Sequence, residues 1–240
     1  MGKNCGIHWL NSFDVQIELF LNQFVGRHPW FDEMVYLCAA TALAATILIL
    51  LFLWNVLSDS DHPTRMGKGF ELLLGSAFFS MLATLAARGL AFSLPFRARP
   101  IATPMLHFRP PAGGVLALIH WSAFPSDHAT LFFSLAAGLL LVSRPVGWFA
   151  IAWVTLFICL PLLYLGAHWS TDILAGAVLG VSFTQMARIP AIREFVRRMA
   201  TKWHHKHPIL FLAGLILWCY ETAVLFEDVR RLLVSVAHFI

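Results

Sequence analysis

Long, continuous apolar runs are the feature that most constrains the fold of this chain. Six runs approach the length of a membrane-crossing helix, at about residues 35–57, 69–93, 128–143, 146–165, 172–188 and 208–226. A helix of about 20 apolar residues crosses the hydrocarbon core of a bilayer, whereas the strands of a membrane barrel alternate apolar and polar residues over about ten positions. The runs therefore predict an all-α fold, a polytopic membrane helix bundle with about six transmembrane helices.

The composition agrees with a membrane protein. Of the 240 residues, 59% are hydrophobic and 12% are charged, whereas soluble domains carry about 25% charged residues. The length suits a single membrane-embedded domain over residues 1–240. The net charge is +4, but the basic residues lie between apolar runs. We therefore interpret them as signals of membrane topology and expect no nucleic-acid partner.

The segment before the first run has a different pattern. Residues of about 11–25 place several apolar side chains near one face of a helix: Phe13, Ile17, Phe20, Leu21 and Phe24. This pattern predicts an N-terminal amphipathic helix that lies on the membrane surface.

Basic residues predict the orientation of the bundle. The densest group follows the fifth run and consists of Arg188, Arg193, Arg197, Arg198, Lys202 and Lys206. Loops rich in lysine and arginine remain in the cytoplasm, so we expect this loop to be cytoplasmic. Counting back through the runs, loops 94–127 and 166–171 and both termini fall on the opposite side.

Polar residues gather on that opposite side, at the ends of three runs. They are Arg88, Arg97 and Arg99 at the second run and in the loop after it, Ser126, Asp127 and His128 at the third, and His168 and Asp172 at the fifth. Each has a structural alternative, because Ser126, Asp127 and Asp172 could stabilise helix starts, the arginines could anchor at the interface, and a histidine there could be an ordinary interfacial polar residue. Their placement together on one membrane face favours a functional site.

This set of residues suits phosphoryl transfer. Arginine presents a planar fork of donors to phosphate oxygens, and the Ser126 hydroxyl at a helix start adds a further donor. One histidine can attack phosphorus while the other protonates the leaving oxygen. His168 and Asp172 are four residues apart, so on a helix the carboxylate can fix one nitrogen of the ring.

The residues resemble the three ordered motifs of the type 2 phosphatidic acid phosphatase superfamily. The matching segments are "RGLAFSLPFRARP" at 88–100, "PSDH" at 125–128 and "PLLYLGAHWSTD" at 161–172, within a core of about 85–180. The resemblance implies that His168 is the nucleophile, which forms a phosphohistidine, and that Asp172 orients and polarises it. It implies that His128 is the general acid and that Ser126 and Arg99 bind phosphate.

The sequence departs from the family pattern at three positions. Phe92 stands where the first motif has a basic residue, so Arg88 and Arg97 are the candidates for that role. Asp127 stands where the family usually has glycine, and we include it with these arginines among the substrate-binding candidates. Leu162 stands where the third motif has an arginine. A weakly active or inactive lipid-phosphate-binding member, or a lipid phosphotransferase, therefore remains an alternative.

The resemblance also implies the substrate class and the location. Family members act on lipid phosphates without a metal or other cofactor, so we expect none here, although Asp127, His128, His168 and Asp172 could in principle ligate zinc. Similarity to bacterial members implies a polyprenyl pyrophosphate, phosphatidylglycerol phosphate or phosphatidic acid as substrate, with membrane lipids around the protein. It places the chain in the bacterial inner membrane, with its site on the periplasmic face.

Overall fold

The computed structural model describes residues 11–40, 42–60, 68–110 and 121–225. Within these ranges the regular structure is helical and contains no strand, which confirms the all-α prediction. The helices are α1 Ser12–Asn22, α2 Pro29–Ala40, α3 Leu43–Ser60, α4 Lys68–Ser93, α5 Asp127–Val142, α6 Arg144–Trp153, α7 Leu160–Tyr164, α8 Ser170–Gln185, α9 Pro190–Lys206 and α10 Pro208–Ala223. A π-helical turn, Val154–Cys159, joins α6 to α7.

Long apolar helices in the structure are the candidates for membrane spans. In the ranges above, two of them, Gly69–Ser93 and Arg144–Tyr164, are long and apolar enough to cross a bilayer. The number rises to four if α2 with α3, and α8 with α9, each form one bent span. Helices α5 and α10 are apolar but have 16 residues each. The prediction of six spans goes beyond these numbers and stays a prediction.

Two segments differ from the sequence prediction. The first apolar run, expected as one helix, is divided between α2 and α3. The basic segment after the fifth run, expected as a loop, forms α9, which begins at Pro190 and is bent by 76° from the preceding helix. Proline suits the first position of a helix, since its missing N–H has no partner there. Arg193 of α9 forms an ion pair with Glu71 of α4, which ties α9 to the bundle.

Small residues allow α5 and α8 to pack closely. A Cβ atom added to Gly180 would collide with the backbone carbonyl of Thr130 on α5. Further along, the hydroxyl oxygens of Ser134 and Thr184 lie 2.6 Å apart in a hydrogen bond between the two helices. Such contacts need small side chains, because only these let helix backbones approach each other within a membrane. As a result, the N-termini of α5 and α8 lie side by side.

Helix α1 turns its polar face toward the protein. Asp14, Glu18 and Asn22, spaced four residues apart, are all buried, whereas Phe13 and Phe20 are more than half exposed. Residues Ser12–Asn22 therefore form a helix with its acidic face against the bundle and its apolar face outward. Its placement on the membrane surface stays a prediction.

We expect Gly180→Ala to destabilise the contact between α5 and α8. The added methyl group meets a backbone carbonyl that cannot rotate away, and overpacking of this kind costs about 1–3 kcal/mol. The melting temperature of the purified protein in detergent should fall. Gly89→Ala in α4 is the control, because nothing lies within 4 Å of a Cβ added there. Equal melting temperatures for the two variants would contradict the packing described here.

We expect Glu18→Gln to stabilise the protein, and more so at higher pH. Burial, followed by the charges of Asp14 and Asp172, raises the pKa of Glu18 from 4.5 to about 9. Between these values the folded carboxyl is protonated and the unfolded one is ionised, so wild-type stability falls as pH rises. The glutamine variant escapes this loss, which amounts to roughly 4 kcal/mol between pH 5 and pH 8.

The measurement is thermal unfolding of wild type and Glu18→Gln between pH 5 and pH 8. Glu33→Gln on α2 is the control, since Glu33 is exposed. A Glu18→Gln gain that is the same at both ends of this pH range would show that Glu18 is not held protonated.

Candidate active site

Three segments of the chain meet at the N-termini of α5 and α8. The loop after α4 joins the turn before α5 through a hydrogen bond of 2.9 Å from the Ala123 N–H to the Arg97 carbonyl. The Ser126 N–H, at the start of α5, donates to the Asp172 carbonyl in α8 at 3.1 Å. These bonds bring the three sequence motifs together, as the sequence predicts.

His168 is buried between these segments with one ring nitrogen fixed. Its Nδ1 lies 2.9 Å from the Ala123 carbonyl oxygen. A carbonyl only accepts hydrogen bonds, so Nδ1 carries the hydrogen and the neutral ring has its lone pair on Nε2. Burial lowers the pKa of His168, and the Arg99 charge lowers it further, while Asp172 and Asp127 act in the opposite direction. The ring is therefore suited to act as a neutral nucleophile.

Arg99 lies beside that free nitrogen. Its Nη1 is 3.4 Å from His168 Nε2 and donates to the Ala167 carbonyl at 2.5 Å. The Trp169 indole N–H donates to the Ala98 carbonyl at 2.8 Å, which fixes the loop that carries Arg99. A phosphoryl group on Nε2 would thus have a guanidinium next to its oxygens.

Asp172 is fully buried, and its carboxylate both caps α8 and lies near the His168 ring. Its Oδ2 accepts from the Trp169 N–H at 2.7 Å, which caps α8. The same oxygen is 3.8 Å from Nδ1 of His168, beyond hydrogen-bond distance. The Ala123 carbonyl therefore orients the ring, and Asp172 contributes its negative charge.

His128 and Arg88 are joined through Asp127. Asp127 Oδ1 lies 3.1 Å from His128 Nδ1, and Oδ2 lies 2.9 Å from Arg88 Nη2. All three side chains are about one quarter exposed. One ring nitrogen of His128, one of His168 and one Asp127 oxygen lie within 4.8 Å of one another. The two histidines are thus close enough to act on one substrate group.

Ser126 has a structural role in the arrangement. It is fully buried at the N-cap of α5, where its Oγ accepts from the Ala129 N–H at 3.3 Å. This is the capping contact that serine commonly makes. Binding of phosphate by Ser126 stays a prediction.

A metal ion is poorly matched to the same cluster. Asp127, His128 and His168 place one possible ligand atom each within 4.8 Å. However, Asp127 already pairs with Arg88, and the Arg99 guanidinium lies next to the His168 nitrogen. The Arg88–Asp127 pair is neutral as a whole, and the positive charge of Arg99 beside the His168 nitrogen repels a cation and attracts an anion.

Arg97, a predicted substrate-binding residue, contacts carboxylates instead of an open cavity. Its Nη2 lies 2.6 Å from Asp14 Oδ2, and its Nη1 forms an ion pair with Asp172 and a 2.9 Å hydrogen bond to Thr171 Oγ1. Asp14 and Thr171 lie outside the residues predicted for the site. The sequence signal for Asp14 is its place on the polar face of the N-terminal helix, opposite the apolar face that predicts contact with the membrane.

Leu162 lies in an apolar wall. It lines a cavity of about 260 Å³ together with His128, Phe132 and small residues of α2 and α3. Leu162 is itself buried. The position where the third motif has an arginine is therefore apolar in this chain, and it lines the same cavity as His128.

Comparisons with known proteins agree with these motifs. The model of the PAP2 superfamily matches residues 72–190, which include all three motifs. The chain is 37% identical over 164 residues to the bacitracin transport permease protein BcrC of Bacillus licheniformis, covering 68% of this chain and 72% of that protein. No solved structure matches the chain. The chain is an integral membrane protein and belongs to the PAP2 superfamily, whose members are phosphatases.

Proposed function

We propose that this protein is a membrane lipid phosphatase that hydrolyses a lipid phosphate monoester or pyrophosphate through a phosphohistidine on His168. The observation that carries the proposal is which nitrogen of the His168 ring carries the hydrogen. Nδ1 donates to the Ala123 carbonyl, so Nε2 keeps its lone pair, and Arg99 lies 3.4 Å from that nitrogen. A nucleophile beside a fixed guanidinium is what attack on a phosphoryl group requires.

The reaction proceeds in two steps. In the first, Nε2 of His168 attacks phosphorus, the bond from phosphorus to the lipid oxygen breaks, and His128 gives that oxygen a proton. In the second, a water molecule gives its proton to His128 and attacks phosphorus, which breaks the P–N bond and releases phosphate. Arg99 and Arg88 stabilise the charge on the phosphoryl oxygens, and Asp172 stabilises the positive charge on the His168 ring. Guanidinium groups supply the positive charge, so no step needs a metal.

The surroundings of the site support a lipid substrate. The apolar cavity of about 260 Å³ touches His128, so an acyl or prenyl chain can lie next to the leaving oxygen. Polyprenyl pyrophosphate, phosphatidylglycerol phosphate and phosphatidic acid all combine such a chain with a terminal phosphate.

The arrangement also supports a site on the periplasmic face of the bacterial inner membrane. Helix α8 begins at the site and leads at its other end to α9, which carries five of the six basic residues in the segment predicted to be cytoplasmic. Because segments rich in arginine and lysine remain in the cytoplasm, α9 belongs inside and the site outside.

The test is phosphate release by purified protein from a panel of these lipids. Wild type should release phosphate, and His168→Ala should lose at least about a thousandfold in kcat, because no other nucleophile replaces the ring. Labelled substrate quenched in base should leave an acid-labile phosphoryl group on wild type and none on the variant. An unchanged rate in His168→Ala would exclude this mechanism.

The same panel separates the alternatives. Binding of lipid phosphate without turnover would favour an inactive member, for which the buried Leu162 is the motivating observation. Transfer of label to an added lipid alcohol, at the expense of free phosphate, would favour a phosphotransferase.

We expect His128→Ala to slow the first step far more for a monoester than for a pyrophosphate. A monoester releases an alkoxide, which needs the proton from His128, whereas a pyrophosphate releases a stable lipid phosphate anion. General acid catalysis contributes about 10²–10⁴-fold, so this loss should appear with the monoester. Rapid-quench measurement of phosphoenzyme formation isolates the first step. Equal losses for both substrates would show that His128 does not protonate the leaving group.

A further inference from the structure

The carboxylate of Asp14 lies outside the three motifs. It has more hydrogen-bond partners than stabilising the start of the N-terminal helix requires. It accepts hydrogen bonds from Asn11 Nδ2 at 2.9 Å and from Arg97 Nη2 at 2.6 Å. It also accepts from the backbone N–H of Thr171 at 2.9 Å and from the Thr171 hydroxyl at 2.6 Å. Asp14 is fully buried. A buried charge persists only where partners of this kind compensate for lost water.

These partners connect Asp14 directly to the candidate active site. Thr171 is adjacent to Asp172 in the first turn of α8. Arg97 contacts Asp14 through Nη2 and Asp172 through Nη1, so one guanidinium bridges the two carboxylates. Its position is further fixed by the Trp169 ring, 5.6 Å away. Asp172 in turn lies 3.8 Å from His168. The path from α1 to the nucleophile consists of three side chains in contact.

We propose that Asp14 is a positioning residue for the phosphatase reaction, which acts through Arg97 to set the location and the effective charge of Asp172. The inference rests on the proposed function. It assigns the N-terminal helix a part in the site, although α1 lies outside the matched family segment of 72–190.

The physical reason is charge balance. Asp14, Arg97 and Asp172 together carry one net negative charge. When Nε2 of His168 attacks phosphorus, the ring becomes positive, and this net negative charge stabilises it. Without Asp14, Arg97 would neutralise Asp172 and the stabilisation would be lost. Glu18, one turn further along α1, adds no charge because burial raises its pKa to about 9.

The first test is Asp14→Asn, a substitution that keeps the shape of the side chain and removes its charge. We expect kcat to fall about tenfold while KM stays within about twofold, since loss of one nearby charge raises the barrier but leaves the phosphate-binding groups in place. Glu18→Gln is the matched control, on the same buried face of the same helix, and its kcat should stay within about twofold of wild type. Equal losses in both variants would indicate simple displacement of α1 and would overturn the proposal.

The second test adds Arg97→Gln to Asp14→Asn. The double variant removes one charge of each sign, so Asp172 keeps a net negative charge and the Trp169 N–H still holds it. We expect its kcat to exceed that of Asp14→Asn. A merely structural role predicts a further decrease, and that result would overturn the proposal. If Asp14→Asn alone does not fold, as judged by gel filtration and thermal unfolding, the double variant is compared with wild type instead. A kcat within about tenfold of wild type then supports the proposal, and a larger loss overturns it.

The two proposals fail in different ways. If His168→Ala retains activity, the phosphohistidine mechanism is wrong. If His168→Ala is inactive and Asp14→Asn has wild-type kcat, the mechanism stands and the role of Asp14 is wrong.

Discussion

The rest of the site depends on the close approach of α5 and α8. Gly176 and Gly180 of α8 face the backbone of α5, at Ser126 and Thr130, where a Cβ atom would collide. The two helix N-termini therefore lie side by side, joined by the hydrogen bond from Ser126 to the Asp172 carbonyl. Each helix N-terminus carries a partial positive charge, so the region between them attracts an anion before any side chain is counted. The helix packing thus favours binding of a phosphate between the two N-termini, and the histidines and arginines provide the catalytic groups.

Burial of polar and charged side chains is the second constraint. In a membrane protein the apolar surroundings determine which face of a helix is buried. In a soluble protein an amphipathic helix turns its apolar face inward, because water lies outside. Helix α1 does the reverse, with Asp14 and Glu18 inside and Phe13 and Phe20 outward. This orientation is reasonable where the surroundings are apolar, since polar groups then find partners only within the protein. The same argument explains why Arg97 lies between two carboxylates.

Hydropathy predicts the helices of this chain better than their ends and joins. The second run, 69–93, corresponds to Gly69–Ser93, and the fourth, 146–165, to Arg144–Tyr164. The division of the first run between α2 and α3 and the existence of helix α9 were not predicted. Hydropathy averaged over a stretch of residues does not show where a helix breaks or changes direction. In the site, local motifs predicted that His128 and His168 would meet. They could not predict the ion pair of Arg97 with Asp14, which joins residues 83 positions apart through tertiary packing.

The departures from the family pattern are physically connected. Asp127, in place of the usual glycine, binds Arg88, which lies one helical turn before Phe92, where the first motif has its basic residue. The carboxylate therefore keeps a cation near His128 although Phe92 and Leu162 are apolar. The same contact has a cost, because in the proposed reaction a phosphate must compete with Asp127 for Arg88. A pyrophosphate competes better than a monoester, since it carries more negative charge within the same reach. The Asp127–Arg88 pair thus favours the more highly charged lipids of the proposed substrate class.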